Sequence, residues 1–262
     1  MNPVVTNRIQ RVLESTATEE DAAIGLFYQL PVEPCIQNGP QCGVVALQMA
    51  SKIVCPDTKI TVEHLMNRAK EMCLTNHGEM FSAYYLKQLI CDVFPSCAAE
   101  ISSDGLSNPT QIIQNLLAGC PILVPYDSDK NHEPCLNSGH TAHWCLVSGF
   151  LAVLKPTAIQ PLPETYLSDT IPNLYTITHP VNDELNMEIL IQPPHFDSLY
   201  VLAFHGKSRH AGVWNYESLK ASNENLVEVG PNRLHDENSY VIPQEGLAET
   251  LRHKIVTIHN KF

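Results

Sequence analysis

Apolar residues recur along this chain in two rhythms, and the change falls near Pro121. Before it the spacing is helical. Val5, Ile9, Val12 and Leu13 share a face over 4–16 and predict a short docking helix. From Gly43 to Val54 the row Val45, Met49, Ile53 is flanked by Ala46 and Ala50, and Pro56 stops the helix. Val62, Leu65, Met66 and Ala69 predict a helix over 62–72, and Tyr85, Leu86, Leu89 and Ile90 one over 82–94. Asn108-Pro109-Thr110 opens a further helix that Gly119 closes. After Pro121 short β-rich runs take over: 122–126, 143–154 and 199–204 read as strands. A helix is predicted over 216–226, strand-like character at 239–242 and a last strand over 254–259. Residues 155–196 hold seven prolines and no clean period, so they read as a long excursion between strands. Helices first and antiparallel strands second predict a single α+β domain over 1–262, with a helical lobe over about 1–120 packed on a sheet lobe over about 121–262.

Composition narrows the class without naming a function. With 262 residues, 44% hydrophobic and 17% charged, the chain has material for a well-buried core. A net charge of −12 argues against nucleic-acid or anionic-membrane partners, both of which attract positive surfaces. The start Met1-Asn2-Pro3-Val4 has no basic region leading into an apolar run, and no segment approaches the roughly 18 apolar residues of a membrane span. Nine scattered cysteines, an odd number, then read as reduced thiols of a cytoplasmic protein rather than a disulfide framework.

Candidate chemistry concentrates in two stretches. The first runs from Cys35 through Gln37-Asn38-Gly39-Pro40-Gln41-Cys42-Gly43 to Leu47: a stiff turn, a cysteine, then an apolar helix. A thiol at a helix N-terminus lies against unpaired N–H groups and the positive end of the helix dipole, which favour thiolate. The second runs from Pro125 to Trp144 and carries His132, His140 and His143. His132, Glu133, Cys135, His140 and His143 are all zinc-ligand types, yet their spacing fits no common metal motif, and no metal or cofactor is assigned. The alternative pairs His143, at a strand start, with Cys42, at a helix start. A cysteine hydrolase needs a thiolate, a histidine to carry the proton and a donor for the oxyanion. Gln37 supplies an amide on the cysteine's own turn, with Gln41 as the rival donor.

Four blocks carry a family resemblance: the cysteine block, Gly78-Glu79-Met80-Phe81-Ser82, the stretch from Pro125 to Trp144, and Gly206-Lys207-Ser208-Arg209-His210 followed by Trp214 and Tyr216. Their order over 25–245 resembles the actin maturation protease family, within the papain-like cysteine peptidases of the bacteriocin-leader-processing type. The resemblance implies a papain-like fold and an aminopeptidase that removes the acetylated N-terminal residue, Met or Cys, of immature actin. It implies Cys42 as nucleophile, His143 as base and Gln37 as oxyanion donor, although papain-like enzymes place that glutamine six residues before the cysteine rather than five. The group behind His143 stays open among Asp127, Asn131, His205 and a backbone carbonyl. Actin's acidic N-terminus calls for local positive charge, so Lys207 and Arg209 are candidate substrate contacts, and Asp127 is a further one. Family members carrying a proline-rich N-terminal tail recruit profilin; this N-terminus gives no support for that partner. A deubiquitinase-like or transglutaminase-like hydrolase, or a zinc-stabilised binding module, is the alternative.

Overall fold

The computed structural model describes residues 2–17, 22–155, 164–179, 196–234 and 240–261. The helices form where the periodicity placed them: α1 (Pro3–Thr16), α2 (Cys42–Val54), α3 (Val62–Glu71), α4 (Ala83–Val93), α5 (Pro109–Leu117) and α6 (Tyr216–Glu224). Capping explains the starts. Asn2, Thr61, Ser82, Asn108 and Asn215 each accept a backbone N–H of the first turn through the side chain, and Pro3 and Pro109 occupy first-turn positions where a missing N–H is harmless.

Nine strands form one sheet: β1 (Ile24–Gln29), β2 (Cys97–Ser102), β3 (Ile122–Ser128), β4 (Pro134–Cys135), β5 (Ala142–Leu154), β6 (Leu174–Ile177), β7 (Phe196–Phe204), β8 (Gly212–Asn215) and β9 (Ile255–Asn260). Strands come from both halves of the chain. β1 and β2 come from the half read as helical, and β1 pairs with β6 in parallel, so the sheet is mixed rather than purely antiparallel. β6 also gives strand structure to part of the proline-rich excursion; 156–163 and 180–195 lie outside the described residues. The strand expected at 239–242 does not form in its described part, where the Val241 N–H donates to the Glu79 carboxylate at 2.9 Å.

β5 is the spine. Residues 142–147 pair with β3 and 149–154 with β1 along one edge, while 146–154 pair with β7 along the other. A bulge between Val147 and Gly149 reverses which face each side chain meets. Ala142, Trp144 and Leu146 share a core with Leu151 and Val153, whereas Cys145 and Val147 share the opposite one with Phe150, Ala152 and Leu154. The first core is covered by α1 to α4 and the second by α5 and α6. α2 lies against β5 with nearly every residue buried, which holds its first residue over the start of that strand.

Candidate active site

β7 ends at Phe204 opposite Leu146, so, among the described residues, 142–145 of β5 have β3 on one edge and no strand on the other. Pro125 stands opposite Trp144, and its carbonyl accepts from Asn223 Nδ2 at 2.8 Å, on the side away from β5. In an antiparallel pair the two facing residues point their amides the same way, either both at each other or both outward. The Trp144 N–H therefore points into the open edge, where the Cys42 thiol accepts it.

Cys42 is the first residue of α2 and is 9% exposed. It also hydrogen-bonds the imidazole of His143, which is 8% exposed. His143 Nε2 lies 2.8 Å from the carbonyl oxygen of His205, and since a carbonyl only accepts, Nε2 carries the proton and Nδ1 is left for the sulfur. Burial pushes the Cys42 thiol up, but the charge and hydrogen bond of His143, the Trp144 N–H and Arg233 outweigh it and hold the thiol below its ordinary value. Burial pushes His143 down, and the Cys42 charge and hydrogen bond with the His205 carbonyl reverse that, leaving it above its ordinary value. The pair favours thiolate and imidazolium.

Around this pair lies a histidine stack. His132 stands face-on to His143 with centroids 5.9 Å apart and 5.4 Å from His205, which stacks in turn on Trp214 at 5.8 Å. Burial, then the charges of His143 and His132, bring His205 down to about 4, and burial with the charge of His143 also lowers His132. His143 is thus the one ring of the stack favoured to hold a second proton. His132 has φ +65° and is held there by the turn: the Tyr126 hydroxyl donates to its carbonyl at 2.9 Å.

Gln37 is fixed by backbone and side chain. Its N–H donates to the Gly206 carbonyl at 2.8 Å and its Nε2 to the Gly39 carbonyl at 2.8 Å, while Oε1 packs on Gly206. Gly206 has φ +71°, and a Cβ there would stand 2.9 Å from that oxygen, so no larger residue fits without moving the amide. A pocket of about 280 Å³ opens over Cys42 and His143, lined by Gln37, His132 and Lys207 on the histidine side and by Glu79, Met80, Phe81, Tyr240 and Arg233 on the other. That second wall is the Gly78–Ser82 block. The Glu79 carboxylate accepts backbone N–H groups of Asn76, His77 and Val241, and the Met80 carbonyl accepts Trp144 Nε1 at 2.7 Å. Gly43 lets the wall approach α2, since a Cβ on it would come within 2.8 Å of the Met80 Cβ.

Sequence reasoning placed Cys42, His143, Gln37 and Lys207 at this pocket, and all four line it. Gln41 does not, because its side chain packs on Gly78 behind the helix start. Asp127 is corrected: it is 0% exposed, does not line the pocket, and its carboxylate accepts the N–H groups of Asn137, Gly139 and Thr141, so it builds the loop before β5. Asn131 sits exposed on the turn, and of the groups weighed behind His143 it is the carbonyl of His205 that meets it. Arg209 is corrected as well, since it lines a separate hollow with Phe27 and His210. The turn separates the ligand-type residues: His140 Nε2 pairs with Glu228 at 2.8 Å while His132 stacks on His143, and no set of three or more converges as a metal site among the described residues. Arg233 was missed. It lies over the Phe81 ring at 5.3 Å from a four-residue helical turn, Pro231–Leu234, whose spacing carries no signal.

A family model described as actin maturation protease-like, C-terminal domain, matches residues 32–151, the span from the cysteine turn to the last part of β5. A Xenopus tropicalis protein named actin maturation protease is 35% identical over 238 residues, covering 90% of this chain and 74% of the relative. A Homo sapiens protein of the same name is 37% identical over 220 residues, covering 81% of this chain and 59% of its own length. Among solved structures, a putative C39-like peptidase from Bacillus anthracis aligns with a TM-score of 0.37 and 11% identity, covering 86% of this chain and 94% of that one.

Proposed function

This chain belongs to the actin maturation protease family and is a cysteine-type peptidase, and we propose that it removes the acetylated N-terminal residue of immature actin in the cytoplasm. The observation that carries the reading is the hydrogen-bonded pair of Cys42, at the start of α2, and His143, whose ring is fixed by the His205 carbonyl.

The cycle is acyl transfer. Thiolate Cys42 attacks the carbonyl of the blocked first residue. The Cys42 backbone N–H and the Gln37 amide meet the oxygen as it gains charge. Imidazolium His143 gives its Nδ1 proton to the departing amine, the new N-terminus leaves, and neutral His143 then takes a proton from water that hydrolyses the thioester. The departing chain lies on the histidine side of the pocket, where Lys207 meets the acidic residues that follow the cut.

Mass spectrometry of immature actin N-termini tests this. Wild-type protein should convert the acetylated terminus to one shortened by a residue, and Cys42→Ala should leave it intact while still binding the peptide. Conversion by Cys42→Ala would sink the assignment. Ubiquitin conjugates incubated in parallel separate the reading from a deubiquitinase-like one.

A further inference from the structure

The pocket has a polarity that the peptidase reading leaves unused. His143 must give its proton to the leaving amine, so the chain beyond the cut runs past His143, His132 and Lys207. The blocked residue then lies across Cys42 from them, against Met80, Phe81 and Tyr240. Apolar surface and aromatic faces make up that end, and its charged members are Glu79 and Arg233. Glu79 is 3% exposed and its carboxylate is taken up by the N–H groups of Asn76, His77 and Val241. Arg233 is half-buried, lines the pocket and holds its guanidinium 5.3 Å over the Phe81 ring, at the end given to the blocked residue.

On the peptidase reading above, we infer that Arg233 is the specificity residue that makes a blocked N-terminus the substrate. A free N-terminus brings an ammonium, which would stand beside a guanidinium in a pocket whose lining carboxylate, Glu79, is buried and turned to backbone N–H groups. An N-acyl group brings no charge and offers a carbonyl oxygen, which the guanidinium can hold by a charge-assisted hydrogen bond. The same side chain thus attracts the acylated residue and repels its unacylated counterpart.

Paired synthetic peptides test it: N-acetyl-methionine followed by acidic residues, and the same sequence with a free amine, compared by kcat/KM. Wild type should favour the acetylated peptide. Arg233→Gln should lower that ratio by roughly tenfold or more, the loss expected for a hydrogen bond to a charged group. Arg233→Glu should lower it further, and Arg233→Lys should keep most of it. Alkylation of Cys42 by iodoacetamide, which needs no peptide, shows that each variant's pair is assembled. A ratio unchanged in Arg233→Gln and Arg233→Glu, with both rates falling together, would mean that Arg233 only tunes the thiolate and would overturn the inference. Equal cleavage of both peptides by wild type would overturn it too. Cleavage of neither would instead strike at the peptidase reading itself.

Discussion

A carbonyl behind His143, where papain-like enzymes carry an amide or carboxylate, changes how the imidazole behaves. The His205 oxygen fixes the tautomer but brings no formal charge, so the counter-charge for imidazolium is the thiolate itself. On the proposed cycle, once the sulfur is consumed in the thioester, burial is left opposing the proton, and His143 releases it to the departing amine. In Cys42→Ala, His143 should therefore titrate below the ordinary histidine value of about 6.5, against above it in wild type, as followed by proton–nitrogen NMR of the ring. On that cycle the working form is thiolate with imidazolium. Activity should rise as pH climbs through the lowered Cys42 pKa and fall as it passes the raised His143 pKa, giving a bell in kcat/KM. Gln37→Ala should reduce kcat by about 10²- to 10³-fold, the usual effect of losing one oxyanion donor, with KM much less affected. A loss mainly in KM would remove Gln37 from the oxyanion site.

Among elements, the loop from β3 to β5 decides whether His143 arrives in place. Asp127, buried at the end of β3, gathers the N–H groups of Asn137, Gly139 and Thr141 and the Thr141 hydroxyl. Asp127→Ala leaves those donors without a partner and should destabilise the fold by about 2–4 kcal/mol in urea unfolding, far more than Arg209→Ala on its separate hollow. The sequence held the ingredients of this loop but not their roles. The acidic residue was legible as part of a dense block, whereas its inward aim depends on β3 pairing with β5, a contact between distant positions. Elements defined by local period, such as α2 with its small-residue face or β5 with its unbroken apolar run, could be read directly. β1, β2 and β6 could not, because short strands take their definition from partners far along the chain: Leu154, Asn260 and Gly25 mark where each begins or ends its ladder. The Cys42–His143 pairing was legible because the chemistry restricts which residue types serve. Arg233 was not, since a lone arginine in an irregular stretch gains meaning only from Phe81 beneath it.

For the whole molecule, charge is distributed against the proposed substrate. The chain carries −12 overall, yet Lys207 and Arg233 both line the pocket over Cys42 and His143. An acidic peptide is repelled at a distance and received locally, so the bound register depends on those few cations. Lys207→Glu should raise KM for an acidic actin peptide severalfold at low salt, with the difference narrowing as salt is added. Arg209→Glu, an equal change in net charge on another hollow, should leave KM near wild type, and equal effects from the two would place the attraction in the overall field rather than in the pocket.

The bulge at Ser148 gives β5 two reading frames. Upstream of it even-numbered side chains belong to the α2 core, and downstream of it odd-numbered ones do. Deleting one residue between His143 and Ser148 would thus be a frameshift in space: His143 and Trp144 would exchange faces while everything from Gly149 onward stayed in frame. At this end of the strand, length sets which face every side chain meets.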